Sequence, residues 1–382
     1  MKNLAVYGLG EHGINRVKSP VHVLDGELLS AQNATTRPVQ GQLAITKRDG
    51  MAKINSDAAA GTLVSITNIP TLIFGEPQIC TPIANRGWQA GAWSPELNLF
   101  VIVGGVGTNE CVATSDDGVN WTIRTVTSTT IAFYDVCWAA ELSLFVAVGG
   151  SPGTVVMTSP DGITWTDRTC PSGSWRGVAY SPDINMFVGV ANTPGTGKAM
   201  SSPDGITWTD RTGALGGSWR KVTWADSLAL FVAVGNLNAS TQNAMTSPDG
   251  ITWTRRTTPD TITLRDVAWS PELDILVGVG SVSIPPGTTR VTSSTDGITW
   301  TARAYPSDFS AWAVAWSPEL RIFLAAQEGA VAFRAATSED GITWTNISPN
   351  CGQSIINDVV WSPGLEKFLL VADDEMELIV YG

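Results

Sequence analysis

The sequence predicts an all-β ring of four-stranded blades, and three observations carry that prediction. A phrase of the form Ser-x-Asp-Gly-x-x-Trp occurs six times. A second phrase, an aromatic followed by Ser-Pro-Glu or a close variant, occurs seven times at spacings of 42 to 47 residues. β-Branched and aromatic runs dominate, and a Gly or Pro interrupts each of them, which excludes a stacked helical solenoid. A repeat of about 45 residues with four strand-like runs per unit is the pattern of a β-propeller blade.

Residues 1–70 stand apart from the repeats. All 16 Trp lie between Trp88 and Trp361, and none falls in this segment. It carries seven Lys/Arg against five Asp/Glu, whereas the remainder carries 16 against 30. Short strands are expected at Lys2–Gly8 and Gly61–Ile69, with a brief helix at Gly26–Gln32. The pair Asp49-Gly50 predicts a hairpin between Gln42–Thr46 and Met51–Ile54, because Gly tolerates the positive φ of such turns. So little apolar content cannot build a core. The segment reads as an extended N-terminal arm that docks on another subunit or a larger assembly.

From Trp88 onward the columns are regular. The second phrase places an aromatic at Trp93, Trp138, Tyr180, Trp224, Trp269, Trp316 and Trp361. A third column, four or five residues earlier, holds Trp88, Tyr134, Trp175, Trp219, Leu264, Trp312 and Ile356. In the unit 175–212, strands are expected at Trp175–Tyr180, Met186–Val190, Ala199–Ser202 and Ile206–Arg211. Seven copies of the inner phrase against six of the outer predict seven blades, with six as the fallback. The last unit ends without an outer strand, and an open ring would leave unpaired edges. The domain from 71 to 382 is therefore expected to close by lending a strand from about 71–80, Thr71–Phe74 above all, to the unit 356–382.

Composition narrows the function classes. Charged residues are 15% and hydrophobic ones 43%, with 38 Gly and 21 Pro, so the chain is turn-rich and core-forming. The net charge of −12 comes from the repeats, 16 Lys/Arg against 30 Asp/Glu, and that acidity repels phosphate backbones, so no nucleic-acid binding is expected there. Cys80, Cys111, Cys137, Cys170 and Cys351 form no CxxC, and the histidines are His12 and His22. These spacings suggest neither a zinc site nor a disulfide framework, and the thiols are expected as small apolar residues. No apolar run suits a signal peptide or a membrane span. No cofactor, metal or catalytic residue is expected.

The repeated hairpin phrase supplies Asp117/Trp121, Asp161/Trp165, Asp204/Trp208, Asp249/Trp253, Asp296/Trp300 and Asp340/Trp344. The carboxylate is suited to accept turn N–H groups, the Gly to take the left-handed dihedral, and the Trp to bury its ring between blades. The phrase resembles the Asp-box of sialidases and related propellers, with one residue fewer between Asp and Gly. That resemblance implies a fold element and not an active site, since in that family the boxes lie away from catalysis. Arg124, Arg168, Arg211, Arg256 and Arg303, three residues after the Trp, are expected to cover neighbouring rings and pair with turn acids.

The loops between second and third strands vary most from unit to unit. They nominate Asn109, the pair Gly195-Thr196, Lys198, Asn238, Asn243 and Arg290 as interaction residues. Asp135, Arg176, Arg220, Arg265 and Asn357 are expected to line the axial channel. In the arm, the stretch Leu24-Asp25-Gly26-Glu27-Leu28-Leu29-Ser30-Ala31-Gln32-Asn33-Ala34, then Lys47-Arg48-Asp49-Gly50, resembles the opening of tailed-bacteriophage virion proteins. Tail nozzle and tail-tip proteins are examples. The Ser-Pro-Asp-Gly-Ile-Thr-Trp repeats resemble phage structural proteins over residues 88–345. The resemblance implies a tail or tail-tip subunit, made in the host cytoplasm and anchored by its arm to other virion proteins and to its own copies. A glycan-binding adhesin or head-decoration module meeting a host receptor through the loops is the alternative. A sialidase-like hydrolase is a third reading.

Overall fold

The computed structural model describes residues 87–380 apart from 106–108, 128–131, 151–152, 194–197, 212–216, 237–240, 260–261, 283–288, 307–309, 328–334, 348–355 and 373–375. Of residues 1–86 it describes five short strands, backbone only, as it does for 282, 289–290, 327 and 376–380.

Seven antiparallel four-stranded blades follow one another along the chain, the third and fourth joined into one eight-stranded sheet where Asn192 and Thr193 pair with Ser218 and Gly217. Their innermost strands are Ala90–Ser94, Phe133–Ala139, Trp175–Ser181, Gly217–Ala225, Ile262–Ser270, Ala311–Ser317 and Ile356–Ser362, for blades 1 to 7. In blade 3 the chain then runs outward through Met186–Thr193, Lys198–Ser202 and Thr209–Asp210. The outer strand is shorter than the expected Ile206–Arg211. The reason is local: the N–H groups of Ile206 and Thr207 donate to the Asp204 carboxylate, at 2.8 and 2.7 Å, and are lost to the ladder.

Each sheet buries its faces against its neighbours. Phe145, Trp165, Val136 and Met157 of blade 2 pack on Val101, Val103 and Val112 of blade 1. The same layering joins blades 2 and 3, 3 and 4, 4 and 5, and 5 and 6. A further cluster brings Val360, Leu369 and Val371 of blade 7 against Trp88, Trp93, Phe100 and Trp121 of blade 1, so the ring closes on an apolar interface. At about 25 cal/mol per Å², a buried Trp of 150–250 Å² contributes several kcal/mol to such a layer.

The closing blade takes its fourth strand from the other end of the sequence. Gln78–Ile79 pairs with Met376–Val380, Ile79 opposite Glu377 and Gln78 opposite Leu378. Thr71–Phe74 lies outside the described residues. Met1–Phe74, with Tyr381–Gly382, forms one compact unit, and Gly75–Val380 forms another. Within the first unit Asn3–Leu4 pairs with Val21–His22. Gln42–Thr46 pairs with Thr35–Val39, across the two-residue link Gln40-Gly41, whereas Met51–Ile54, the partner that the Asp49-Gly50 pair predicts, lies outside the described residues. A two-residue link is the shortest route to an antiparallel partner. The expected elements at 26–32, 51–54 and 61–69 lie outside the described residues.

Every blade turns from its first to its second strand through one non-glycine residue of positive φ: Asn98, Ser143, Asn185, Ala229, Asp274, Arg321 and Glu366, at 47 to 58°. Cys111 and Cys170 are buried and free, and burial pushes each thiol up to about 12. No helix among the described residues is long and apolar enough to cross a membrane.

Ring closure and turn geometry can each be tested by thermal unfolding, read by circular dichroism. A chain starting at residue 75 should unfold with the parental Tm, whereas one starting at 81 should lose Tm sharply or aggregate; equal Tm for both would show that Gln78–Ile79 does not close the ring. Ala229→Gly should raise Tm by about 2 °C, because Gly relieves roughly 1 kcal/mol of left-handed strain at an exposed turn.

Candidate functional site

Strand direction sorts the two faces of the ring. First strands run toward the face that carries the Ser-Pro-Glu turns and the Asp-Gly hairpins. They start at the opposite face, where the variable loops between second and third strands lie.

On the hairpin face the repeated phrase builds one device six times. In blade 2, Asp161 Oδ1 accepts the N–H groups of Ile163 and Thr164, at 2.8 and 2.7 Å, and the Ser159 hydroxyl at 3.0 Å. Gly162 sits at φ 70°, and the Trp165 indole donates to its carbonyl at 3.0 Å. Burial works against the charge of Asp161, yet these bonds together hold its carboxyl below the usual range. The same balance lowers Asp204, Asp249, Asp296 and Asp340, and brings Asp117 down to about 2. Trp121, Trp208, Trp253, Trp300 and Trp344 are buried like Trp165. The outer-strand arginines differ from expectation. The Nε of Arg124, Arg168, Arg211, Arg256 and Arg303 donates to a third-strand Thr or Ser hydroxyl at 2.7 to 3.1 Å, because the antiparallel register sets that hydroxyl beside it.

The Ser-Pro-Glu turns form a second belt. The indoles of Trp138, Trp224, Trp269, Trp316 and Trp361 donate to Glu96, Asp183, Asp226, Glu272 and Glu319 of the preceding blade, at 2.6 to 2.7 Å. Blade 7 has Gly364 where others carry the acid, and the Trp93 indole N–H is buried with no hydrogen-bond partner among the described residues. Tyr180 replaces the Trp of blade 3 and donates to Asn185 instead, at 2.7 Å.

At the axis the innermost strands of blades 2 to 7 each carry a bulge near their start. The extra residue shifts the alternation by one and resolves the third aromatic column into two rings. One ring, Trp88, Phe133, Trp175, Trp219, Leu264, Ala311 and Ile356, is buried between blades. The other is half-buried: Gln89, Tyr134, Arg176, Arg220, Arg265, Trp312 and Asn357. Tyr134 and Trp312 thus belong with the arginines and not with the core aromatics. The Arg176 guanidinium lies 3.6 Å over the Tyr134 ring, and that of Arg265 lies 3.8 Å over Trp312. Asn357 donates to the Trp88 carbonyl at 2.8 Å, and Gln89 to that of Gly87 at 3.2 Å.

One residue further along lies a polar girdle. Asp135 accepts the N–H of Val178, Asp266 that of Val314, and Asp358 that of Gly91, at 2.8 to 3.0 Å. Each also accepts the N–H of the residue after itself. Each carboxylate therefore clips its own blade to the next. Lys221 sits 2.9 Å from Asp135 and 3.7 Å from Asp358, tying blade 4 to blades 2 and 7. Burial disfavours the Lys221 charge, but Asp135, Asp358 and Asp266 outweigh it and raise its pKa. Asp266 is pushed up to about 7 by burial and by Asp358, against the pull of Lys221. Burial and Asp135 likewise raise Asp358. Among the described residues no group of three His, Cys, Asp or Glu is arranged to hold a metal.

Of the channel residues named from sequence, Asp135 belongs to the girdle, and Arg176, Arg220, Arg265 and Asn357 to the half-buried ring. Sequence reading missed Lys221, Asp266 and Asp358. A signal existed: the residue three before each phrase aromatic reads Ala90, Asp135, Gly177, Lys221, Asp266, Ala313 and Asp358, a column with no consensus. Of the nominated loop residues, Asn109, Lys198 and Asn243 are described with their side chains. Asn109 is exposed, and the Lys198 ammonium donates to the Ser172 carbonyl at 2.7 Å. Asn243 is buried and its amide donates to the Ile262 carbonyl at 2.8 Å, so it braces a loop and offers no contact surface. Arg290 lies in the strand Thr289–Ser294 with its side chain outside the description, and Gly195, Thr196 and Asn238 lie outside the described residues.

No protein-family model matches the chain, and no curated protein matches it in sequence. Solved structures do match. Catalytically inactive virginiamycin B lyase from Staphylococcus aureus with quinupristin superposes at a TM-score of 0.67 and 9% identity, over 81% of this chain and 100% of that one. A streptogramin B lyase gives 0.65 and 8%, over 80% and 97%. YCF48 from Cyanidioschyzon merolae gives 0.60 and 15%, over 80% and 99%. The fold is a β-propeller. At these identities the likeness shows the fold alone.

The two sets of aspartates predict opposite pH responses. Asp266 and Asp358 have folded pKa values above the unfolded value near 4, so their contribution is complete below pH ~4 and lost as pH rises through the folded values. The hairpin aspartates have lowered values, so theirs is present above pH ~4 and lost as pH falls through the folded values. Tm should therefore peak at mildly acidic pH, at about 5. Asp266→Asn should flatten the decline on the alkaline side, and a curve parallel to that of the parent would refute this reading of the girdle.

Proposed function

We propose that the protein is a structural subunit of a tailed-phage virion, a tail or tail-tip component whose arm anchors it and whose propeller forms an assembly platform. The observation that carries this reading is an apolar fringe on the hairpin face. Ile163, Ile206, Ile251, Ile298 and Ile342, one per hairpin, are each more than 40% exposed, and Leu97 and Ile184 in the neighbouring turns are at 40%. A repeated set of exposed large aliphatics on one face suits docking on other protein. The separation of Met1–Phe74 from the propeller unit suits an anchor, and the resemblance of the arm and of the hairpin repeats to phage virion proteins supplies the context. The girdle acids are engaged in clipping blades together, which suits a rigid scaffold.

A glycan-binding adhesin is the second reading, favoured by the half-buried ring of arginines, aromatics and amides at the loop-face mouth.

Mass spectrometry of purified particles should find the protein, and its absence would refute the virion reading. Replacing Ile163, Ile206 and Ile251 by Ser should leave Tm nearly unchanged, since exposed substitutions cost about 0.5 kcal/mol or less, while reducing incorporation into particles. Normal incorporation of that variant would remove the hairpin face from the assembly.

A further inference from the structure

We propose that Arg176, Arg220 and Arg265 form an oxyanion site at the loop-face mouth of the channel, binding a carboxylate or phosphate group on an acidic ligand. The site goes beyond the virion reading and stands without it. Its first support is placement. Three consecutive blades put an arginine at the same bulge position, so three guanidiniums share one arc of the ring. The flanking pair is held by aromatic faces, Arg176 over Tyr134 and Arg265 over Trp312, each toward the blade on the far side from Arg220. Stacking fixes the plane of a guanidinium and leaves its N–H edge available.

The second support comes from Arg176 and Arg220. The Nε atoms of Arg176 and Arg220 are buried without a hydrogen-bond partner among the described residues. The nearby carboxylates do not compensate for them. Asp135, Asp266 and Asp358 stand one residue further along, each accepting two backbone N–H groups, and Lys221 answers their charge. Burial first, then Arg265 and Arg176, lower the pKa of Arg220 to about 10, so its surroundings act as a cationic cluster. Half-buried cations such as Arg176 and Arg220, in a chain of net charge −12, are costly unless an anion joins them. The guanidinium fork matches a planar carboxylate or a phosphate face with paired N–H···O bonds, which makes those groups the fitting ligands.

Calorimetric titration of the full chain with sodium glucuronate, inorganic phosphate and glucose tests the site. Glucuronate or phosphate should bind, more weakly as salt rises, and glucose should not. Preference for glucuronate would mark an acidic sugar, and preference for phosphate a phosphorylated ligand; each supports the site. Arg220→Gln should weaken binding by about tenfold or more, the scale of one charge-assisted bond. Without ligand its Tm should be equal to or above that of the parent, because like-charge repulsion is relieved. Arg211→Gln, on an outer strand, should bind as the parent does. Should Arg220→Gln fail to fold, Arg176→Gln carries the same expectation. Binding of neither anion at millimolar concentration, or parental affinity in the folded variant, would overturn the proposal.

Discussion

The structure depends on the burial of each blade's face against the next, which leaves a ring no tolerance for an unpaired end. A sheet whose faces are both apolar needs a neighbour on each side. The layer formed by Trp88, Trp93, Phe100 and Trp121 with Val360, Leu369 and Val371 meets that need where chain start and chain end come together. Pairing of Gln78–Ile79 with Met376–Val380 then covers the last edge with backbone bonds. Much of the remaining polar chemistry reinforces the same joints: indole to carboxylate on the hairpin face, carboxylate to backbone N–H at the axis.

That reinforcement is uneven, and the exceptions are informative. Blade 7 offers Gly364 where others offer an acid, yet its joint with blade 1 gains the Asp358 bond to Gly91 and the Asn357 bond to Trp88. Lys221 spans the channel where three acids would otherwise repel one another. The axis is thus an electrostatic hub as well as a geometric one. On the opposite side of the strand bulge the Nε atoms of Arg176 and Arg220 are buried without a hydrogen-bond partner among the described residues.

Nearly everything that repeats was legible in the chain. The hairpin device of Asp161, Gly162 and Trp165 follows from residue types at fixed spacing, because its bonds span two or three positions. The outer-strand arginines were misread because their hydroxyl partners lie ten residues away across a ladder, as Arg168 does from Thr158. Asn243 was misread because a polar residue in a variable loop looks exposed until its neighbours are placed.

By itself the sequence determined the all-β class, the blade repeat, a count of seven blades or six, and the need for the two ends to meet, since periodicity and strand-edge pairing are local or countable properties. Tertiary structure alone decided that Lys221, Asp266 and Asp358 join Asp135 at the axis, and that Arg176, Arg220, Arg265 and Asn357 belong to a separate ring. A single inserted residue in the inner strands of blades 2 to 7 changes which side chains face together, and ring closure sets residues far apart in the chain side by side. The tie between Lys221 and Asp358 does not exist until the ring is closed.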